Sequence, residues 1–139
     1  MKSEALEQIL EAAAVYRSLT NDITDSWRKV LKWKNISQAE LSRRTAISEK
    51  SIGYIITGKK NASLDSIVFM CIGANLPSEI SEHMLYLSGY RLTLSDEENA
   101  IFNYILRNMY TKSLPEIREF LHEIGSDIYL KLPAYTDSM

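Results

Sequence analysis

The chain has one cysteine, Cys71, in 139 residues, so no disulfide can form within it, and a reducing cytoplasm is the expected location. No apolar run approaches the roughly 20 residues needed to span a bilayer, and no membrane partner is expected. The opening MKSEALEQIL is acidic and amphipathic and does not read as a signal peptide. Glycine-rich phosphate loops, Cys/His ligand clusters and nucleophile elbows are all missing. His83 and His122 lie far apart, each inside an amphipathic segment, which is the pattern of partly exposed structural histidines. Glu97 with Glu98, and Glu116 with Glu119, fall near expected helix starts, where compensation of the helix dipole accounts for them. With no catalytic constellation left, neither enzymatic activity, a cofactor nor a bound metal is expected. Strand-like alternation, internal repeats and low-complexity segments are absent as well, so the expected fold class is all-α.

What the chain does have is helical periodicity. It is 45% apolar and 24% charged, enough to fold and too little charged for global disorder. Its length suits one domain, or a small domain with an appended helical module. Residues 3–19 predict an amphipathic helix with Leu6, Ile9, Leu10, Ala13 and Tyr16 on one face, packing back on the domain or against a second subunit. After the polar break Thr20-Asn21-Asp22, capped by Asp22 with Asp25, a helix is predicted over 23–34, with Ile23, Trp27, Val30 and Leu31 inward and Trp33 partly buried. Further on, 63–75 turns Leu64, Ile67, Val68, Cys71 and Ile72 inward, with Cys71 read as an inert buried thiol. Pro77 opens another helix over 78–88 through Ile80, Met84, Leu85 and Leu87.

Gly89-Tyr90-Arg91 is the best candidate boundary, dividing the chain into a leading helix (1–22), a central domain (23–88) and a C-terminal module (89–139). In that module two capping boxes, Ser95 to Glu98 and Ser113 to Glu116, start a helical hairpin over 95–124. Its first stripe, Ile101, Phe102, Ile105, Leu106, Met109 and Tyr110, is too wide for one surface. Its second carries Ile117, Phe120, Leu121 and Ile124 and ends at Gly125. A hairpin of this size cannot build its own core. It must pack on the central domain, the leading helix or a partner subunit. From Ser126 periodicity is lost; Tyr129, Leu130 and Leu132 are expected to dock before Pro133, and 134–139 to be loose.

The most informative stretch is 37–61, SQAELSRRTAISEKSIGYIITGKKN. Ser37 and Glu40 predict a capping box opening a helix that buries Leu41 and Thr45. Ala46 and Ile47 form a turn, and a left-handed backbone at Ala46 would be strained by its methyl group. Ser48 caps a second helix in which Ile52, Ile55 and Ile56 recur at helical spacing, and Gly58 stops it at Thr57. Gln38, Glu49, Lys50, Ser51 and Tyr54 are left pointing outward. Gly53 costs that helix roughly 1 kcal/mol relative to alanine.

Gln38, Leu41, Ile47-Ser48, Ile52, Ile55 and Gly58-Lys59-Lys60-Asn61 make this segment resemble the Cro/repressor-like (XRE-type) helix-turn-helix family, over roughly residues 23–76. The resemblance implies a five-helix DNA-binding domain, here with an extra N-terminal helix and a C-terminal hairpin. It also implies a bacterial or phage transcriptional regulator, expected to act as a repressor. By the same resemblance Gln38 contacts a phosphate and steadies the second helix. Glu49, Lys50, Ser51 and Tyr54 read bases, and Lys59, Lys60 and Asn61 hold phosphates.

Charge distribution agrees. Residues 25–61 hold nine Lys/Arg against three acids, a balance of +6, while residues 1–24 sum to −2 and 62–139 to −6. The wider phosphate-contacting pool is Lys29, Lys32, Gln38, Arg43, Arg44, Lys59, Lys60 and Asn61. Lys50 suits guanine O6 and N7, and Glu49 suits cytosine N4. One reading helix gives limited specificity, so a homodimer on paired half-sites is expected. The competing expectation is the same fold reused to bind another regulator or effector protein. Its motivation is acidic Glu49, the weak helix at Gly53, and Ile56 taken as exposed apolar surface.

Overall fold

Serine and aspartate side chains open nearly every helix. A computed structural model describes residues 3–134, and among these are eight α-helices, a short 3-10 helix and no strand. The helices are α1 (Glu4–Ser18), α2 (Ile23–Lys34), α3 (Gln38–Thr45), α4 (Glu49–Ile56), α5 (Leu64–Gly73), α6 (Ser78–Leu87), α7 (Glu97–Asn108) and α8 (Leu114–Glu123), with the 3-10 helix at Asp127–Lys131. Ser3, Asp22, Ser37, Ser48, Ser63, Asp96 and Ser113 each accept the amide N–H three residues on. Only α6, entered from Pro77, lacks such a bond. Each cap satisfies one of the orphan donors of a helix start.

Two of the three expected capping boxes differ from expectation. The Ser113–Glu116 box is complete, with bonds in both directions. At α3 only the Ser37 half forms, because the Glu40 carboxylate turns to Arg43 and Arg44. At α7 the cap is Asp96 and not Ser95, whose hydroxyl pairs with Thr93. The Asp96 carboxylate bonds both the amide and the side chain of Asn99, a stronger arrangement than a neutral hydroxyl offers.

α5 is the centre of the fold. Every residue from Ile67 to Ala74 is buried, and α3, α6, α7 and α8 all pack on this helix. Phe69 and Met70, outside the expected inner face, are buried as well, with Phe69 edge-on to Phe102 of α7 at 6.3 Å. The hairpin therefore packs on α5 and α6, the first of its three expected options. Cys71 is fully buried, and burial pushes its thiol up to about 12.

Trp27 is also wholly buried, and its indole N–H has no partner among the described residues. Burying an indole is worth about 4–6 kcal/mol, against about 1–3 kcal/mol for one unsatisfied donor. The packing term wins. His83 is half-buried and donates from Nε2 to the Thr20 carbonyl at 2.7 Å, fixing the α1–α2 link to α6.

At the N-terminal end the choice between the two packings of α1 stays open, and at the C-terminal end an expectation is revised. α1 buries no residue: Leu6, Ile9, Leu10 and Tyr16 remain exposed, and the helix is held at its C-terminal half. There Lys29 donates to the Ser18 carbonyl and the Trp33 indole donates to Glu11. After α8, Ile128 and Leu132 are buried but Leu130 is exposed, and Ile124, expected in the α8 stripe, is exposed too. The short helix turns Leu130 to solvent while Tyr129 packs against His122 and Arg118. The expected loose tail from 135 onward lies outside the described residues.

Two substitutions test this packing. A Cβ on Gly73 would meet Thr45 Cγ2 at 2.7 Å and Leu41 Cδ1 at 3.1 Å. Overpacking of that kind costs about 1–3 kcal/mol and exceeds the roughly 1 kcal/mol of helix propensity that alanine brings, so Gly73→Ala lowers the denaturation midpoint. Ala46 adopts φ 62°. Ala46→Gly removes a strain of about 1–2 kcal/mol at an unfolded-state cost of about 0.4–1 kcal/mol, and urea denaturation should show a net gain.

Candidate nucleic-acid interface

α3 and α4 are two eight-residue helices joined through Ala46, Ile47 and Ser48. Ala46 ends α3 in the left-handed conformation, its N–H bonding the Ser42 carbonyl. Ser42 then donates to the Ile47 carbonyl at 2.6 Å, so the serine in this helix closes the turn. Thr45, buried, donates to Leu41 and accepts from the Ile47 amide. These local bonds set the angle at which α4 leaves α3.

α4 is anchored by one face. Ile52, Ile55 and Ile56 are buried, and the Thr24 hydroxyl of α2 donates to the Ile56 carbonyl at 2.7 Å. Ile56, expected by one reading to be exposed apolar surface, is 1% exposed: the last turn of α4 sinks it into the core beside α2. On the opposite face Glu49, Lys50 and Tyr54 are exposed, with the Lys50 ammonium 5.7 Å from the Tyr54 ring centroid. Ser51 is half-buried and its hydroxyl pairs with that of Ser48 at 2.9 Å, tying it into the cap.

Gly53 lies on α4 beside the first residue of α3. A Cβ there would lie 3.4 Å from Gln38 Oε1. That is an ordinary contact distance to the end of a flexible side chain, and Gln38 itself remains exposed. After Thr57 the chain reverses through Gly58 (φ 75°), with the amides of Lys59 and Lys60 both directed to the Tyr54 carbonyl. Lys59, Lys60 and Asn61 are exposed on that reversal and, among the described residues, their side chains form no ion pair or hydrogen bond.

Lys50, Lys59 and Lys60 stand exposed on α4 and its following loop, with Asn61 after them. Four of the other basic residues are tied elsewhere. Lys29 bridges Asp25 at 3.0 Å and the Ser18 carbonyl at 2.7 Å. Arg43 pairs with Glu40. Arg44 holds Glu40, the Gly73 carbonyl at 2.9 Å and Asn75 Oδ1, joining α3 to the end of α5. Lys34 lies over Trp33, where burial lowers its pKa. Lys32 is exposed on α2, as is Arg28, a residue outside the expected set. Arg28 follows Thr24 by one helical turn, the same turn that meets α4. Its i+4 spacing from Thr24 and to Lys32 was the available signal.

Glu40 carries the largest acid shift of the site. Hydrogen bonds from Arg43 and then Arg44 hold its carboxyl at about 2, well below the ordinary 4.5. A depressed pKa adds stability above the unfolded value and loses it as pH falls through the folded one. Wild type should therefore exceed Glu40→Gln in thermal midpoint near neutral pH, with the gap closing between about 4.5 and about 2; a gap independent of pH would contradict the assignment.

No protein-family model matches the chain, and neither a curated protein nor a solved structure is significantly similar to it, so the site is interpreted through its own geometry.

Proposed function

We propose that this chain is a sequence-specific DNA-binding transcriptional regulator of the Cro/repressor-like helix-turn-helix kind, acting as a homodimeric repressor. The observation that carries the proposal is the outer face of α4: Lys50 and Tyr54 exposed on a helix anchored by three isoleucines, with exposed Lys59, Lys60 and Asn61 directly after it. On this reading α2 to α6 are the five helices of that family's domain. Phosphate contacts from Lys59, Lys60, Asn61 and Gln38, with Lys32 and Arg28 at the flank, give affinity and register. Lys50 reads guanine, Glu49 accepts from cytosine N4, and Tyr54 meets a base edge or thymine methyl. Ser51 contributes through the cap more than through a free hydroxyl. Each good base contact discriminates by roughly 1–3 kcal/mol, which is why two copies of α4 are needed.

The rival reading, a protein-contact module, rested on three features. Ile56 is buried. Glu49 and Gly53 still favour it.

The test is binding to random duplex DNA and to a duplex selected from a random pool, across a salt series, with light scattering of the free protein. Expected are a mass near twice 15.9 kDa and affinity that falls steeply with salt. A Lys59→Ala/Lys60→Ala double variant should lower the salt slope by roughly 2. Lys50→Ala should cost about 5- to 100-fold on the selected duplex and little on the random one. Absence of retention at low salt, or a Lys50→Ala variant with full selectivity, sinks the proposal.

A further inference from the structure

A cleft of about 330 Å³ lies between α6, the connector after it and α7, away from the outer face of α4. Its floor is apolar: Leu85 and Leu106 are almost wholly buried. Tyr86 and Tyr90 form its walls, Tyr86 being two-thirds exposed at the mouth. Two guanidinium groups stand at the rim. Arg107 is held by Glu82 at 3.0 Å and by Asn103 at 3.1 Å. Arg91 is exposed and has no acidic partner among the described residues. Glu82 offsets one of the two positive charges, leaving the rim with a surplus of one.

We infer that this cleft binds a small monocarboxylate with an aromatic or branched apolar body, and that its occupancy is felt at the basic loop after α4. The volume is at the lower end for small-molecule sites, and an apolar floor with a few convergent polar groups is their usual composition. Arg91 supplies a planar fork matched to a carboxylate. Glu82 disfavours a second negative charge on the ligand, and the tyrosine rings provide flat walls for its body.

The link to the loop is a single hydrogen bond. The Tyr90 hydroxyl donates to the Ala62 carbonyl at 2.6 Å, across 28 residues of sequence. Ala62 directly follows Lys59, Lys60 and Asn61. A ligand seated against the Tyr90 ring changes the position of that hydroxyl, and with it the anchor of the loop. The regulatory meaning of this rests on the DNA-binding reading; the pocket and its connection do not.

Both are read without DNA. Phenylacetate, with phenylacetamide as its uncharged counterpart, is titrated into the full chain while backbone amide resonances are followed. Expected are saturable shifts in residues 85–92 and 103–107, together with shifts at Lys60, Asn61 and Ala62. Phenylacetamide, and phenylacetate with Arg91→Ala, should each bind at least tenfold more weakly. Tyr90→Phe, observed at a probe concentration that saturates that variant, should lose the Lys60–Ala62 shifts. Unsaturable shifts, equal binding of the amide, or full binding by Arg91→Ala overturns the site. Saturable pocket shifts with no response at 60–62 overturn the connection. A protein that shows every expected shift yet ignores DNA would refute the DNA-binding reading alone.

Discussion

The closeness of α3 to α5 at Gly73 is the constraint on which the rest of the arrangement depends. With no side chain at that position, Thr45 and Leu41 reach the α5 backbone. Arg44 then caps the carbonyl of Gly73, placing a cation at the C-terminal end of the most apolar helix, where the helix dipole favours it. α3 seated this way fixes the turn at Ala46 through Ser42 and Thr45, and the turn fixes α4. The exposure of Lys50 and Tyr54 is thus a downstream result of packing around a glycine some twenty residues away in sequence.

Much of this was legible from spacing. Helix starts at Ser37, Ser48, Ser63 and Ser113 announce themselves because a capping side chain acts over three residues, and the isoleucine triplet of α4 shows which face is buried. The wrapping of α5 was less visible. Phe69 lies on the side opposite Ile67 and Cys71, and periodicity cannot tell that α7 covers it through Phe102. Ser95 and Asp96 are adjacent plausible caps, and the choice between them turns on the bonds Asp96 makes to Asn99. The direction of the α1 stripe was equally hidden, since amphipathicity identifies a face but not its neighbour.

The candidate site follows the same division. That Lys59 and Lys60 sit beyond a glycine stop could be read from sequence. The i,i+4 pairs of Lys29 with Asp25 and of Arg44 with Glu40 are readable too, but the bonds of these cations to the Ser18 and Gly73 carbonyls are not, because main-chain acceptors carry no sequence signature. Polar side chains at the joints recur as the long-range ties: His83 to Thr20, Asn75 Nδ2 to the Tyr110 carbonyl at 2.9 Å, and Tyr90 to Ala62. Each bonds a connector carbonyl and thereby ties one layer to another.

The burial of Cys71 in α5 has a practical corollary. A thiol sealed in the dry centre of the fold and held protonated is invisible to alkylating reagents until α5 is laid bare. Its modification rate is then a clock for global opening of the molecule. Conversely, a cysteine introduced on the surface becomes the sole reactive handle for a dye or spin label, with the native residue left in place.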